Sequence, residues 1–203
     1  MKRLLVSLLL TVGLLATPVA AQDRAVDDVE GSVAFIQNLG DRTIAILNDT
    51  ASSKADRSNN FHALFGEATD INTLTRSLLG RHYRKVRKAK LIEEYQDAVT
   101  NYIISEFEDN IQLVGIVALE ARDTRVAPGD RGELMVRTVI DVQEGEDIKA
   151  DWRVQKKEGV FTIINLEVLG YNFVVTGRTL FAGRISELGY QGHLDELHSK
   201  YQD

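Results

Sequence analysis

The hydrophobic period of this chain changes twice, near residue 111 and again near residue 170. Before the first change, apolar side chains recur at helical spacing. Val29, Val33, Ile36, Leu39, Ile44 and Leu47 give a helix over about 28–48, after a polar, frayed stretch over 22–28. Phe61, Leu64 and Phe65 give one over about 53–67. Thr69-Asp70 supplies an N-cap ahead of Ile71, Leu74, Leu78 and Leu79, and Gly80 is the stop. A short helical piece over 81–87 leads into a long stripe of Leu91, Tyr95, Ala98, Val99, Tyr102, Ile103 and Phe107. Between the two changes the period is two. Leu134, Val136, Thr138, Ile140 and Val142 alternate with Met135, Arg137, Val139 and Asp141, and Ile148, Ala150, Trp152 and Val154 alternate with Lys149, Asp151, Arg153 and Gln155. Ile111–Asp123 and Val160–Leu169 are two more strand candidates, Ala127–Asp130 is a loop, and Glu158-Gly159 is a tight turn. After Gly170, Phe173, Val174, Leu180, Phe181, Ile185 and Leu188 restore the helical pattern, and a last helix over about 191–201 carries Leu194 and Leu197.

Helices and strands that are segregated along the chain define an α+β fold. We expect a four-stranded antiparallel sheet whose apolar face is covered by about seven helices. The helical part spans about 28–109, the sheet about 111–169 and the C-terminal helices about 172–201, in a single domain over 22–203. No internal repeat or linker divides it.

The first 21 residues read as an address. Met1-Lys2-Arg3 is basic, Leu4–Leu15 is an apolar run, Pro18 breaks it, and Val19-Ala20-Ala21 offers small residues for cleavage before Gln22. The apolar run is too short for a membrane span, which needs about 20 residues. A cleaved secretory signal and a periplasmic protein that is not an integral membrane protein are the expectation.

Composition narrows the chemistry. With no cysteine there is no disulfide scaffold, cysteine nucleophile, thiolate zinc site or lipid-modified N-terminus. A net charge of −6 disfavours nucleic acid as a partner. His62, His82, His193 and His198 show no metal-ligand spacing, and no phosphate-binding loop or nucleophile elbow is present. The acidic pairs sit on polar helix faces, where solvated charge explains them. We expect no metal, no cofactor and no catalytic residue.

Two features stand apart. Arg81, Arg84, Lys85, Arg87, Lys88 and Lys90 put six positive charges into ten residues of an acidic chain. They make either a solvated helix junction or a surface for an anionic partner. Aromatic residues gather around the long helix and the sheet. They form either a filled core or the wall of an apolar cleft, and pattern alone leaves both open.

Leu79-Gly80-Arg81-His82-Tyr83-Arg84-Lys85 resembles the Leu-Gly-Arg-aromatic-aromatic-Arg motif of the MlaC family, the toluene-tolerance type of periplasmic phospholipid-binding protein. The aromatic helix Tyr95–Phe107, the hairpin from Asp151-Trp152-Arg153-Val154 to Phe161–Leu166, the segment Asn165–Val174, and then Arg178, Phe181, Gly189, Leu194 and Leu197 are similar to that family in order and spacing. Asn165, Leu169, Asn172 and Gly177 depart from its usual Asp, Glu, Ser and aromatic residue, which marks a divergent member.

The resemblance implies a carrier that shuttles phospholipid between an outer-membrane lipoprotein–porin complex and an inner-membrane ABC lipid transporter, and so maintains outer-membrane lipid asymmetry; a monomer is expected, since an exposed shuttle is more useful in that state. It implies a lipid cavity between sheet and helices. The expected walls are Leu78, Tyr83, Val99, Tyr102, Ile103, Val136, Ile140, Trp152, Val168, Tyr171, Phe173 and Phe181. Arg81, Arg84, Lys85 and Arg178 are expected at a partner or headgroup surface. Another cargo such as a hopanoid, or an interaction module with a filled core, are the alternatives.

Overall fold

The structure is a computed structural model that describes residues 19–114, 116–126 and 132–201. Its elements are α1 (Val19–Leu47), α2 (Lys54–Ala68), α3 (Ile71–Leu79), a 3₁₀ turn (Gly80–His82), α4 (Tyr83–Lys88), α5 (Ile92–Val114), β1 (Ile116–Val126), β2 (Glu133–Val142), β3 (Ile148–Lys157), β4 (Val160–Val168), β5 (Tyr171–Asn172) and α6 (Phe173–Tyr201). The expected signal segment falls, up to residue 18, outside the described residues, as does the loop over 127–130.

The helix starts follow local chemistry. Ser53 Oγ accepts from the Asp56 N–H and caps α2. The Asp70 carboxylate accepts from the Thr73 N–H and caps α3. The Asp70 carboxyl lies below its ordinary range: burial would raise it, but hydrogen bonds from Lys157 and Thr73 to the charged form outweigh that. The same carboxylate, 2.7 Å from Lys157 Nζ, pins the helical layer to the β3–β4 hairpin.

The strands run β1-β2-β3-β4-β5, each pair antiparallel, so the sheet is a meander. Val136 pairs with Trp152, and Trp152 with Leu166. Both tight turns, Glu158-Gly159 and Leu169-Gly170, have positive φ at both residues, the I′ geometry that matches strand twist.

Five points of the sequence reading need correction. There are five strands, because Tyr171–Asn172 folds back on β4 as a pair too short to show a period. The described α-helices number six rather than about seven, the 3₁₀ turn aside, because the two expected C-terminal helices form α6, bent at Gly189 where φ is 75°. The first helix begins at Val19 and not near 28, since no glycine or proline interrupts Val19–Glu30 and its polar residues still propagate a helix. Residues 111–114 end α5, so the first strand starts at Ile116. A short apolar run at a helix–strand junction fits either period. The short helix expected over 81–87 opens as a 3₁₀ turn over Gly80–His82, with α4 only from Tyr83, because Gly80 stands at φ 49° and ends α3.

Candidate functional site

One face of the sheet meets the helices through apolar side chains. Val136, Ile140, Ala150, Trp152, Val154 and Ile163 are buried there with Ile36 of α1, and Val33, Phe35, Leu39, Phe107, Phe161 and Val168 pack around them. The alternation along β2 and β3 puts these residues on one side, and the bulge between Arg153 and Val154 does not break the apolar patch. The polar side chains of Thr138 and Trp152 within this layer are internally paired. Trp152 Nε1 donates to Thr138 Oγ1 at 2.9 Å, and Thr138 Oγ1 donates to the Ala150 carbonyl at 3.4 Å. The apolar face therefore offers little to a headgroup and much to a hydrocarbon.

A second cluster lies among the helices. Leu74, Leu78, Leu79, Val86, Tyr95, Val99, Tyr102, Ile103, Phe181, Ile185, Leu194 and Leu197 are buried together. Tyr102 sits against Phe173, Phe181 and Tyr201 at ring separations of 5.7, 5.5 and 5.1 Å. The Tyr95 hydroxyl lies 2.8 Å from the Tyr190 carbonyl, to which it donates, and 3.1 Å from His193 Nδ1. Burial pushes the pKa of both Tyr95 and Tyr102 well above the ordinary phenol value, so these phenols stay neutral. Burial likewise holds His193 at about 4, neutral at pH 7.

The expected wall residues thus divide. Val136, Ile140, Trp152 and Val168 belong to the sheet layer. Leu78, Val99, Tyr102, Ile103 and Phe181, with Tyr83 and Phe173 partly buried beside them, belong to the helical layer. Tyr171 is 49% exposed and belongs to neither cluster. Arg81, Arg84 and Lys85 are exposed. Arg178 donates from Nε to the Ser77 carbonyl at 2.6 Å, and its stem lies against Gly80.

Between α1, α2 and β4 lies an open apolar hollow of about 200 Å³, walled by Phe35, Leu39, Leu64, Ala68, Val160 and Phe161. The exposed Arg42–Glu67 pair, at 2.8 Å, borders it. A second hollow of about 320 Å³ lies between the end of α1 and β1, beside Ile44, Ala45 and Leu119. Phe35 of α1 stacks on Phe161 of β4 at 6.1 Å and so joins the roof to the sheet, while Phe61 stacks on Phe107 at 5.4 Å and joins α2 to α5. Sequence periodicity puts Leu39, Phe61 and Leu64 on helix faces but does not say which surface those faces meet, and so they are missing from the expected walls.

Among the described residues no cluster of His, Asp and Glu could hold a metal ion, and no helix is long and apolar enough to cross a membrane. What the fold and site define is an antiparallel meander roofed by helices, with an apolar interior. Residues 37–199 match the family model described as MlaC protein, and the chain belongs to that family. A phospholipid-binding protein from Ralstonia solanacearum, solved in complex with a phospholipid, has the same fold, with a TM-score of 0.60 over 91% of this chain and 98% of that one. The two chains are 19% identical. No curated protein matches the sequence.

Proposed function

We propose that this protein is a periplasmic phospholipid carrier, exported by its first 21 residues and shuttling lipid between an outer-membrane lipoprotein–porin complex and an inner-membrane ABC transporter, and so maintaining lipid asymmetry. The observation that carries this reading is the apolar face of the sheet, roofed by helices on a scaffold shared with a protein solved with phospholipid bound. Each acyl CH₂ left in water costs about 0.8 kcal/mol, so tails need a dry wall, and the headgroup needs no chemistry at all. The tails would lie between the sheet residues Val136, Ile140, Trp152 and Val168 and the roof, starting from the hollow at Phe35, Leu39 and Phe161. A pocket for a drug-sized ligand is about 300–1,000 Å³, so the hollow of about 200 Å³ must widen as α1 and α2 lift from the sheet.

The test is native mass spectrometry of the exported protein, purified without detergent, followed by solvent extraction. The expected result is an added mass that resolves into phospholipids. Val136→Asp, and separately Ile140→Asp, should lose that mass while the protein still reaches the periplasm. Retained lipid in both variants would remove the sheet wall from the site. A second reading, an interaction module with a filled interior, draws on the tight packing of both clusters. It predicts an apo mass that takes up no added phospholipid.

A further inference from the structure

The six cations of residues 81–90 occupy a surface that the apolar interior does not use. In α4 one residue, Val86, is fully buried, and it fixes the helix against the helical cluster. Arg84 and Lys88 stand two residues to either side of Val86 and so point away from the protein, with Lys85 and Arg87 flanking them. All six cations are exposed, and among the described residues none of the six forms an ion pair. Acidic side chains were available in a chain of net charge −6, and this surface has recruited none of them.

Where the basic segment begins, it meets the helix whose first turn carries an exposed apolar residue. Arg81 follows Gly80, and Gly80 lies against the stem of Arg178. Arg178 shares a helix face with Val175, three residues before it, which is 59% exposed. Just ahead of α6 comes the β4–β5 turn, where Leu169 is 77% exposed and Tyr171 49% exposed. Leu169 also holds φ at 50°, a left-handed conformation that disfavours a branched side chain. An exposed leucine kept in a strained position gains nothing for the fold, which points to a contact outside it.

We propose that α4 with the Leu169–Val175 edge is a docking surface for an anionic phospholipid bilayer, with Arg84, Arg87, Lys88 and Lys90 meeting lipid phosphates and Leu169 and Val175 dipping below them. The combination of unpaired cations with isolated apolar tips fits a bilayer interface. An acidic protein surface would ask for fixed partners and leave the apolar tips idle. The inference rests on the carrier reading for its setting, since a carrier that hands lipid to membrane complexes must work at the bilayer.

The test is flotation of the exported protein with vesicles of equal phosphatidylglycerol and phosphatidylcholine, and with pure phosphatidylcholine, at low and high salt. Binding is expected only to the anionic vesicles and only at low salt. The triple variant Arg87→Gln, Lys88→Gln, Lys90→Gln should weaken it about a hundredfold, with its thermal midpoint and extracted lipid as in the wild type. Leu169→Asn should also weaken it while raising the thermal midpoint, because asparagine tolerates the left-handed turn. Equal binding to both vesicles, an unaffected triple variant, or binding to immobilised polyglutamate but not to vesicles would each overturn the proposal. A protein that extracts without lipid yet floats with anionic vesicles would keep the docking surface and refute the carrier reading.

Discussion

His193 shows how one buried side chain ties the stability of this fold to pH. It packs edge-on to Phe181 at 4.7 Å and lies beside the Tyr95 hydroxyl. Burial holds it neutral down to about 4, below its ordinary 6.5, although Glu196 draws it upward; Arg184 adds to the lowering. The unfolded chain takes up a proton once the pH falls through about 6.5, and the folded chain does not until about 4. Stability is therefore complete above 6.5, declines as the pH falls and levels off near 4, for a loss of up to about 3 kcal/mol. His193→Phe should flatten that acid limb in urea denaturation followed between pH 7 and pH 5. An unchanged slope would place the acid sensitivity in other groups. The four histidines looked alike in the sequence, because a histidine between Gly192 and Leu194 carries no sign of how deeply it will be buried.

Helix α6 shows the same dependence on neighbours at the scale of an element. It is bent at Gly189, and a clasp of Arg184 on Glu196 and Glu187 spans the bend, with Arg184 Nε donating to Glu196 Oε2 at 2.8 Å. Two of its other glycines have opposite surroundings. A Cβ on Gly177 would meet Cδ2 of the fully buried Leu78 at 2.6 Å, so this glycine allows α6 to pack closely on α3. A Cβ on Gly183 would meet nothing within 4 Å. Gly183→Ala should therefore stabilise the protein by up to about 1 kcal/mol through helix propensity. Gly177→Ala gains the same propensity but should lose more, about 1–3 kcal/mol, through overpacking. Chemical denaturation of the two variants reads the contrast directly. Equal shifts in the two midpoints would mean that Leu78 yields and α6 is not held this closely.

On the scale of the whole molecule there are two apolar clusters, each held together by different contacts. The helical cluster is made of α3, α4, α5 and α6 and is closed on itself by Tyr102 and Tyr95. The sheet cluster is roofed mainly by α1, which approaches closely at two glycines. A Cβ on Gly31 would lie 2.8 Å from Phe161, and one on Gly40 would lie 2.8 Å from Leu119. Gln37 adds a polar latch, donating to the Leu119 carbonyl at 2.8 Å and accepting from the Ala121 N–H at 2.9 Å. Under the carrier reading α1 and α2 are the movable roof. Amide exchange should then slow in α1, α2 and the β3–β4 hairpin when phospholipid is added to stripped protein, and remain unchanged in α3 and α5. Protection confined to α3 and α5 would move the tails into the helical cluster.

The α+β class, the antiparallel β2–β3–β4 order and the cap at Asp70 were legible in the sequence by itself, because period, turn chemistry and capping are set by residues close in the chain. The basic segment was equally legible, since charge density needs no fold. Which apolar stripe meets which surface was decided only by tertiary structure. Val136 and Leu78 read alike as buried residues, and the fold sends one to the sheet under α1 and the other to the contact between α3 and α6. Tyr171 looked like a wall residue and lies outside both clusters, because Leu169-Gly170 turns the chain back into a fifth strand there. A periodic pattern states that a face is apolar. Its partner is fixed by contacts far apart in sequence, as in the close approach of Gly177 to Leu78, and these form only when the helices and the sheet assemble.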